Sequence, residues 1–206
     1  MPCLTPDEKT RRPPALRRTG GAVLVLAFSL GLAGCAAPPL PSYDLDSAST
    51  QGLRLRALRG TLAVDTPEAD ETIDSDRVLV RAAANQLAYL SDARWSERLP
   101  ALVQSRLIET FQNAHQLKSV GRPGDLANYS LQLELRSFEI DATASEARVD
   151  IAVVLRSRRT SRPVAAHIFA ARAPAPATAN GAAAAALGAA LSEVMRSIVA
   201  WTNTQI

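Results

Sequence analysis

Few residue types in this chain of 206 residues are placed to do chemistry. Its two histidines, His115 and His167, have no CxxC, HxxxH or HExxH neighbours, so the spacing supports no metal site. No GxSxG nucleophile elbow occurs, and no Gly-Lys dipeptide of a phosphate-cradling loop. Asp141, Glu146 and Asp150 are close in sequence, but they lie around an expected hairpin, where solvated charges are a plainer account than an acid–base pair. No catalytic residue, no metal and no enzyme activity are expected. If ATP drives the work of this protein, another chain hydrolyses it. One side chain stands apart. Cys35, in LAGCAAPP, sits directly after an apolar run and directly before a proline-rich one. The only other cysteine is Cys3, so a disulfide has little prospect, and the chemistry left to the thiol is that of a nucleophile.

The elements around Cys35 say what that nucleophile is for. Residues 1–19 carry five basic and two acidic side chains, and an uncharged apolar stretch follows from about Gly20 to Gly34. A basic start, a short apolar run and small residues at its exit make a secretory signal. The run falls short of the about 20 apolar residues a spanning helix needs. Leu32, Ala33, Gly34 and Cys35 resemble the lipobox of bacterial lipoproteins. The resemblance implies a diacylglycerol on the Cys35 sulfur, cleavage after Gly34 and an N-acyl chain on the new amino group, with no other cofactor. Two or more acyl chains make membrane attachment durable. Ala36 rather than Asp after the cysteine implies, by the sorting rule of enteric lipoproteins, the periplasmic face of the outer membrane rather than the inner membrane. No second apolar run of spanning length is expected after Cys35.

Three segments follow: a signal peptide over 1–34, the lipidated cysteine and proline-rich tether over 35–41, and a folded domain over 42–206. The tether segment 36–41 reaches roughly 19 Å if extended. Removing residues 1–34 leaves 18 basic and 18 acidic residues, which argues against a nucleic-acid partner. The dense cluster RSRRTSR (156–162) reads as a solvated turn between strands, with a binding patch as the competing account. About 170 residues suffice for one domain with a real core.

Strand-like runs are expected at 42–45, 53–58, 61–65, 77–82 and 85–90, with the acidic stretch 67–76 as a loop. Residues 96–114 read as an amphipathic helix, with Leu99, Leu102, Val103, Leu107 and Phe111 on one face, Arg98, Gln104 and Glu109 elsewhere, Ser96 as N-cap and Pro100 near the first turn. Tyr129, Leu131, Leu133 and Leu135 alternate, then Phe138 and Ile140 fall on the opposite parity; a bulge near Ser137 explains the slip. Runs at 147–157 and 162–172 complete three antiparallel strands at hairpin spacing. After a linker over 173–181, Leu187, Leu191, Val194, Ile198 and Trp201 form a helical stripe, with Asn180 as a candidate cap. The expected fold is α+β, a single domain with a largely antiparallel sheet and two helices packed on it.

The lipobox, then YDL (43–45), LAYLSDARWSERLPALVQSRL with Trp95, YSLQLELRSFEID with Phe138-Glu139, and the terminal IVAW resemble, in order and spacing, the ABC-type transport auxiliary lipoprotein family. The resemblance implies a non-catalytic, lipid-anchored periplasmic component of a transporter that moves lipids or other hydrophobic molecules between the two membranes. Its partners would be an MCE-domain periplasmic protein with its ABC permease and ATPase, with a homo-oligomer left open. Tyr43, Trp95, Phe138 and Glu139 are the candidate docking residues; core packing is the competing account of Trp95 and Phe138. A lipoprotein regulator of a cell-wall synthase is the alternative function, since such regulators share a small α+β fold.

Overall fold

The longest strand with a bulge organises everything else. The computed structural model describes residues 40–124, 126–175 and 180–206; the signal segment, Cys35 and most of the tether lie outside the described residues. The elements are β1 (Ser42–Tyr43), β2 (Thr61–Val64), β3 (Glu68–Ala69), β4 (Arg77–Ala83), β5 (Gln86–Trp95), α1 (Leu99–Asn113), β6 (Ser119–Gly121), β7 (Tyr129–Asp141), β8 (Glu146–Ser157), β9 (Pro163–Pro174) and α2 (Asn180–Gln205). Strand β7 pairs antiparallel with β8 along its whole length, and β8 pairs antiparallel with β9. Its other edge takes three short parallel partners in turn: β2 at residues 129–131, β3 at 134–135 and β4 at 139–141.

The register slip in β7 is a bulge. Leu135 faces Ile151 and Ser137 faces Asp150, so Arg136 is the extra residue. The bulge returns Phe138 and Ile140 to the core face that Leu131, Leu133 and Leu135 already occupy. Both helices cover that face, giving a two-layer α+β domain on one nine-stranded sheet. The long pairings are antiparallel, as the hairpin spacing predicts. The parallel ones join segments far apart in sequence, which hairpin spacing cannot register.

The run at 53–58 forms no strand. Leu53 and Leu55 pack on the core with the predicted alternation, but the neighbour is a helix side chain. Asn203 Oδ1 accepts from the Arg56 N–H at 3.1 Å, and its Nδ2 donates to the Arg56 carbonyl at 2.8 Å. One amide thus replaces one rung of a ladder. The loop 67–76 also holds the two-residue β3.

Helix α1 buries the predicted apolar face, but its start differs from expectation. The N-cap is Arg98, without a side-chain cap, and Pro100 lies in the first turn. The Leu99 N–H, an orphan donor of that turn, reaches the Ser75 carbonyl at 3.0 Å, and Arg98 grips Asp74 at 2.7 Å. Ser96 is turned to the chain entry instead, with its N–H on the Tyr43 carbonyl at 2.8 Å. Gln104 is buried: its Nε2 donates to the Val64 carbonyl at 2.9 Å, which ties α1 to the end of β2.

Helix α2 corrects the expectation about apolar runs. Residues Asn180–Gln205 are long and apolar enough to cross a membrane, with a mean hydropathy of 1.4 over the best window. The stripe Leu187, Leu191, Val194 and Ile198 is instead fully buried in the core. Trp201 ends it half-buried, edge-on to Phe169 of β9 and stacked on His167.

Candidate anchoring and docking surfaces

The chain enters the domain at Leu40, five residues after Cys35, and is pinned at once. Strand β1 pairs parallel with the end of β5, Ser42 with Arg94 and Tyr43 with Trp95. The Tyr43 ring lies over Gly181 at the start of α2, where an added Cβ would sit 3.6 Å away. Asp44 is a hub. Its carboxylate accepts from Arg106 at 2.8 and 3.0 Å, from the Ser96 hydroxyl at 3.2 Å and from the Leu45 N–H at 2.8 Å. Burial pushes the Asp44 carboxyl up, but the hydrogen bonds from Arg106 and Leu45 outweigh it and hold the group below the usual carboxylate range. Arg106 also bonds Glu109 one turn on, at 2.7 Å.

Between the Tyr43–Asp46 segment and the small residues Ala184, Ala185 and Gly188 of α2 runs a groove of about 390 Å³. A second cleft, about 210 Å³, lies on the open face of the sheet between Asp65, Glu68 and Glu134. Burial raises the Asp65 carboxyl there, opposed by the charge of Arg158 and a hydrogen bond with Gln132.

The candidate docking residues do not form a common surface. Trp95 and Phe138 are 2% and 1% exposed and meet edge to face, ring centres 5.7 Å apart. Glu139 is 2% exposed, and its carboxylate takes both arms of Arg81 at 2.8 and 3.0 Å. Core packing and an ion pair account for these three, and they present no face to a partner. Tyr43 alone keeps part of its side chain at the surface. Two of the three hairpin carboxylates, Asp141 and Asp150, are also structural. Asp141 Oδ1 accepts from Thr143 and from the Ala144 N–H in the β7–β8 turn. Asp150 accepts from Arg148 and Arg172, both at 2.9 Å. Burial raises the Asp150 carboxyl, and the two guanidinium bonds more than reverse this, leaving it low. His115 ends the turn after α1, and His167 lies on the exposed outer strand β9. Among the described residues no cluster of His, Cys, Asp or Glu has the geometry to hold a metal.

The family model of ABC-type transport auxiliary lipoprotein components matches residues 43–199, from the pinned tyrosine almost to the end of α2. The chain belongs to this family. Its members are lipoproteins associated with ABC transport systems, which carries a membrane-anchored, periplasmic placement. The uncharacterized protein bll6063 of Bradyrhizobium diazoefficiens is 30% identical over 190 residues, covering 90% of this chain and 51% of that protein. The chain therefore spans about half the length of this curated relative. The crystal structure of protein XCC0632 from Xanthomonas campestris superposes with a TM-score of 0.75 at 25% identity, over 80% of this chain and 96% of that one. The hypothetical protein CT253 of Chlamydia trachomatis shares the fold at a TM-score of 0.51 and 10% identity, over 72% and 98% of the two chains.

Proposed function

We propose that this protein is a non-catalytic adaptor held by lipid on Cys35 at the periplasmic face of the outer membrane, docking onto the MCE-domain subunit of an ABC transporter that moves lipids or other hydrophobic molecules. The observation that carries the reading is the family match beginning at Tyr43, eight residues after a lipobox cysteine. The short tether and the pinned chain entry fit a component that presents one defined surface near a membrane. Of the hairpin carboxylates, Asp141 is engaged in a turn and Asp150 in ion pairs with Arg148 and Arg172.

The test is a tagged pull-down from detergent-solubilised membranes, read by mass spectrometry, with Cys35→Ala beside the wild type. Recovery of an MCE-domain protein with its permease and ATPase is expected, together with loss of Cys35→Ala from the membrane fraction. Recovery of a cell-wall synthase without transporter subunits would replace this reading by the regulator.

A further inference from the structure

The composition is neutral, but the charge is not evenly spread. Four loops meet at the end of the domain where α2 finishes: the β8–β9 turn, the segment before β2, the loop before β6 and the loop before β7. Backbone hydrogen bonds stitch them together. The Arg158 N–H donates to the Asn128 carbonyl at 2.9 Å, the Asn128 N–H to the Thr61 carbonyl at 3.0 Å and the Lys118 N–H to the Gly60 carbonyl at 3.0 Å. These loops carry Arg59, Lys118, Arg158, Arg159 and Arg162, all exposed. The described segments 52–64, 115–124, 126–131 and 156–165 hold no acidic residue, while Asp65 follows directly after β2 and Asp125, which lies outside the described residues, belongs to the loop before β7. Among the described residues, none of the five cations has an ion-pair partner, whereas Arg81, Arg98, Arg106, Arg148 and Arg172 are all paired elsewhere. Beside the cluster, Arg156, Ser157, Arg158 and Ser161 line a cleft of about 370 Å³ together with Asp65, Ser130 and Gln132, and the charge of Arg158 acts on the Asp65 carboxyl.

We infer that this basic pole is a docking surface for an acidic face of a periplasmic protein partner, with arginine forks gripping its carboxylates. Like charges gathered without internal partners repel one another, and a complementary surface relieves that repulsion. Position favours a protein over the anchoring membrane. Helix α2 starts over Tyr43 and ends with Ile206 beside Gly60, so its 26 residues put the pole about 39 Å from the chain entry. The inference rests on the adaptor reading above and names the face it uses: the docking partner is the acidic surface of the transporter's periplasmic subunit.

The experiment measures binding of the purified periplasmic subunit to the full lipidated chain in detergent, at 50 and 300 mM salt. It compares wild type, the triple variant Arg158→Glu/Arg159→Glu/Arg162→Glu, its Lys counterpart, and Arg94→Glu at the opposite end, with thermal unfolding of each as a folding control. Vesicles of phosphatidylcholine with phosphatidylglycerol serve as the lipid probe. The expected result is at least a tenfold loss for the Glu triple, near wild-type binding for the Lys triple and Arg94→Glu, and weaker wild-type binding at high salt. Equal binding by all variants would overturn the basic pole and leave the adaptor reading standing. Vesicle binding lost in the Glu triple while subunit binding is unchanged would assign the pole to lipid headgroups and overturn the proposal. No subunit binding by wild type would remove the adaptor reading and this inference with it.

Discussion

The two ends of the domain handle charge in opposite ways. Around the chain entry, Asp44 meets Arg106 and Asp74 meets Arg98, while Arg81 closes on a buried Glu139 nearby on the sheet. At the far end, Arg59, Lys118, Arg158, Arg159 and Arg162 stand in water without ion pairs among the described residues. The first region uses charge to fix the chain to itself. The second leaves it available to something else. A surface ion pair is worth little, and a buried one mainly penalises its own disruption, so the paired end is best understood as specifying geometry.

The largest break in this contrast is expected inside the paired region. Trp95→Ala empties the site against Phe138 and should cost about 3–5 kcal/mol in urea unfolding. A change below about 1 kcal/mol would mean that Trp95 is not the core residue its burial indicates. Arg81→Ala strands the Glu139 carboxylate in the sheet. About 3 kcal/mol is expected, at the low end for a buried pair because the Arg81 side chain is 31% exposed. Arg81→Ala/Glu139→Leu should recover much of it.

A pH series sharpens the comparison further. Asp150 has a folded pKa below its ordinary value of 3.8, so its contribution is present above pH 3.8 and is lost as pH falls through the folded value. Asp150→Asn should lower stability by about 1.5–3 kcal/mol at neutral pH, the range for hydrogen bonds to a charged group, and flatten the acid limb of the stability curve. Ser145 in the β7–β8 turn has φ of 54°, where a side chain is disfavoured, so Ser145→Gly should stabilise by about 1 kcal/mol. The smallest effect is expected at the basic pole. Arg159→Glu should change stability by less than about 0.5 kcal/mol, because the side chain is exposed and has no ion pair among the described residues. A larger loss would place that arginine among the structural ones.

The sequence by itself determined whatever depends on neighbours along the chain. Period-2 alternation located β7 and β8, the parity slip at Phe138 located the bulge, and period-3.6 stripes located α1 and α2 with their buried faces. The expectation of lipid on Cys35 rests on the same kind of evidence, a lipobox read as a linear string, and Cys35 lies outside the described residues. Only the tertiary structure decided what depends on which segments meet. The parallel partners of β7 come from distant stretches, and the alternating run at 53–58 meets Asn203 rather than a strand. A spanning-length apolar helix became a core helix because a sheet was there to cover its stripe. Trp95 and Phe138 were legible as core candidates beside a docking reading, whereas the burial of Glu139 was not, because burial belongs to the assembled layers. The basic pole belongs to this second group as well. Its cations lie in three separate loops of a chain with balanced charge, and only the fold brings them to one surface.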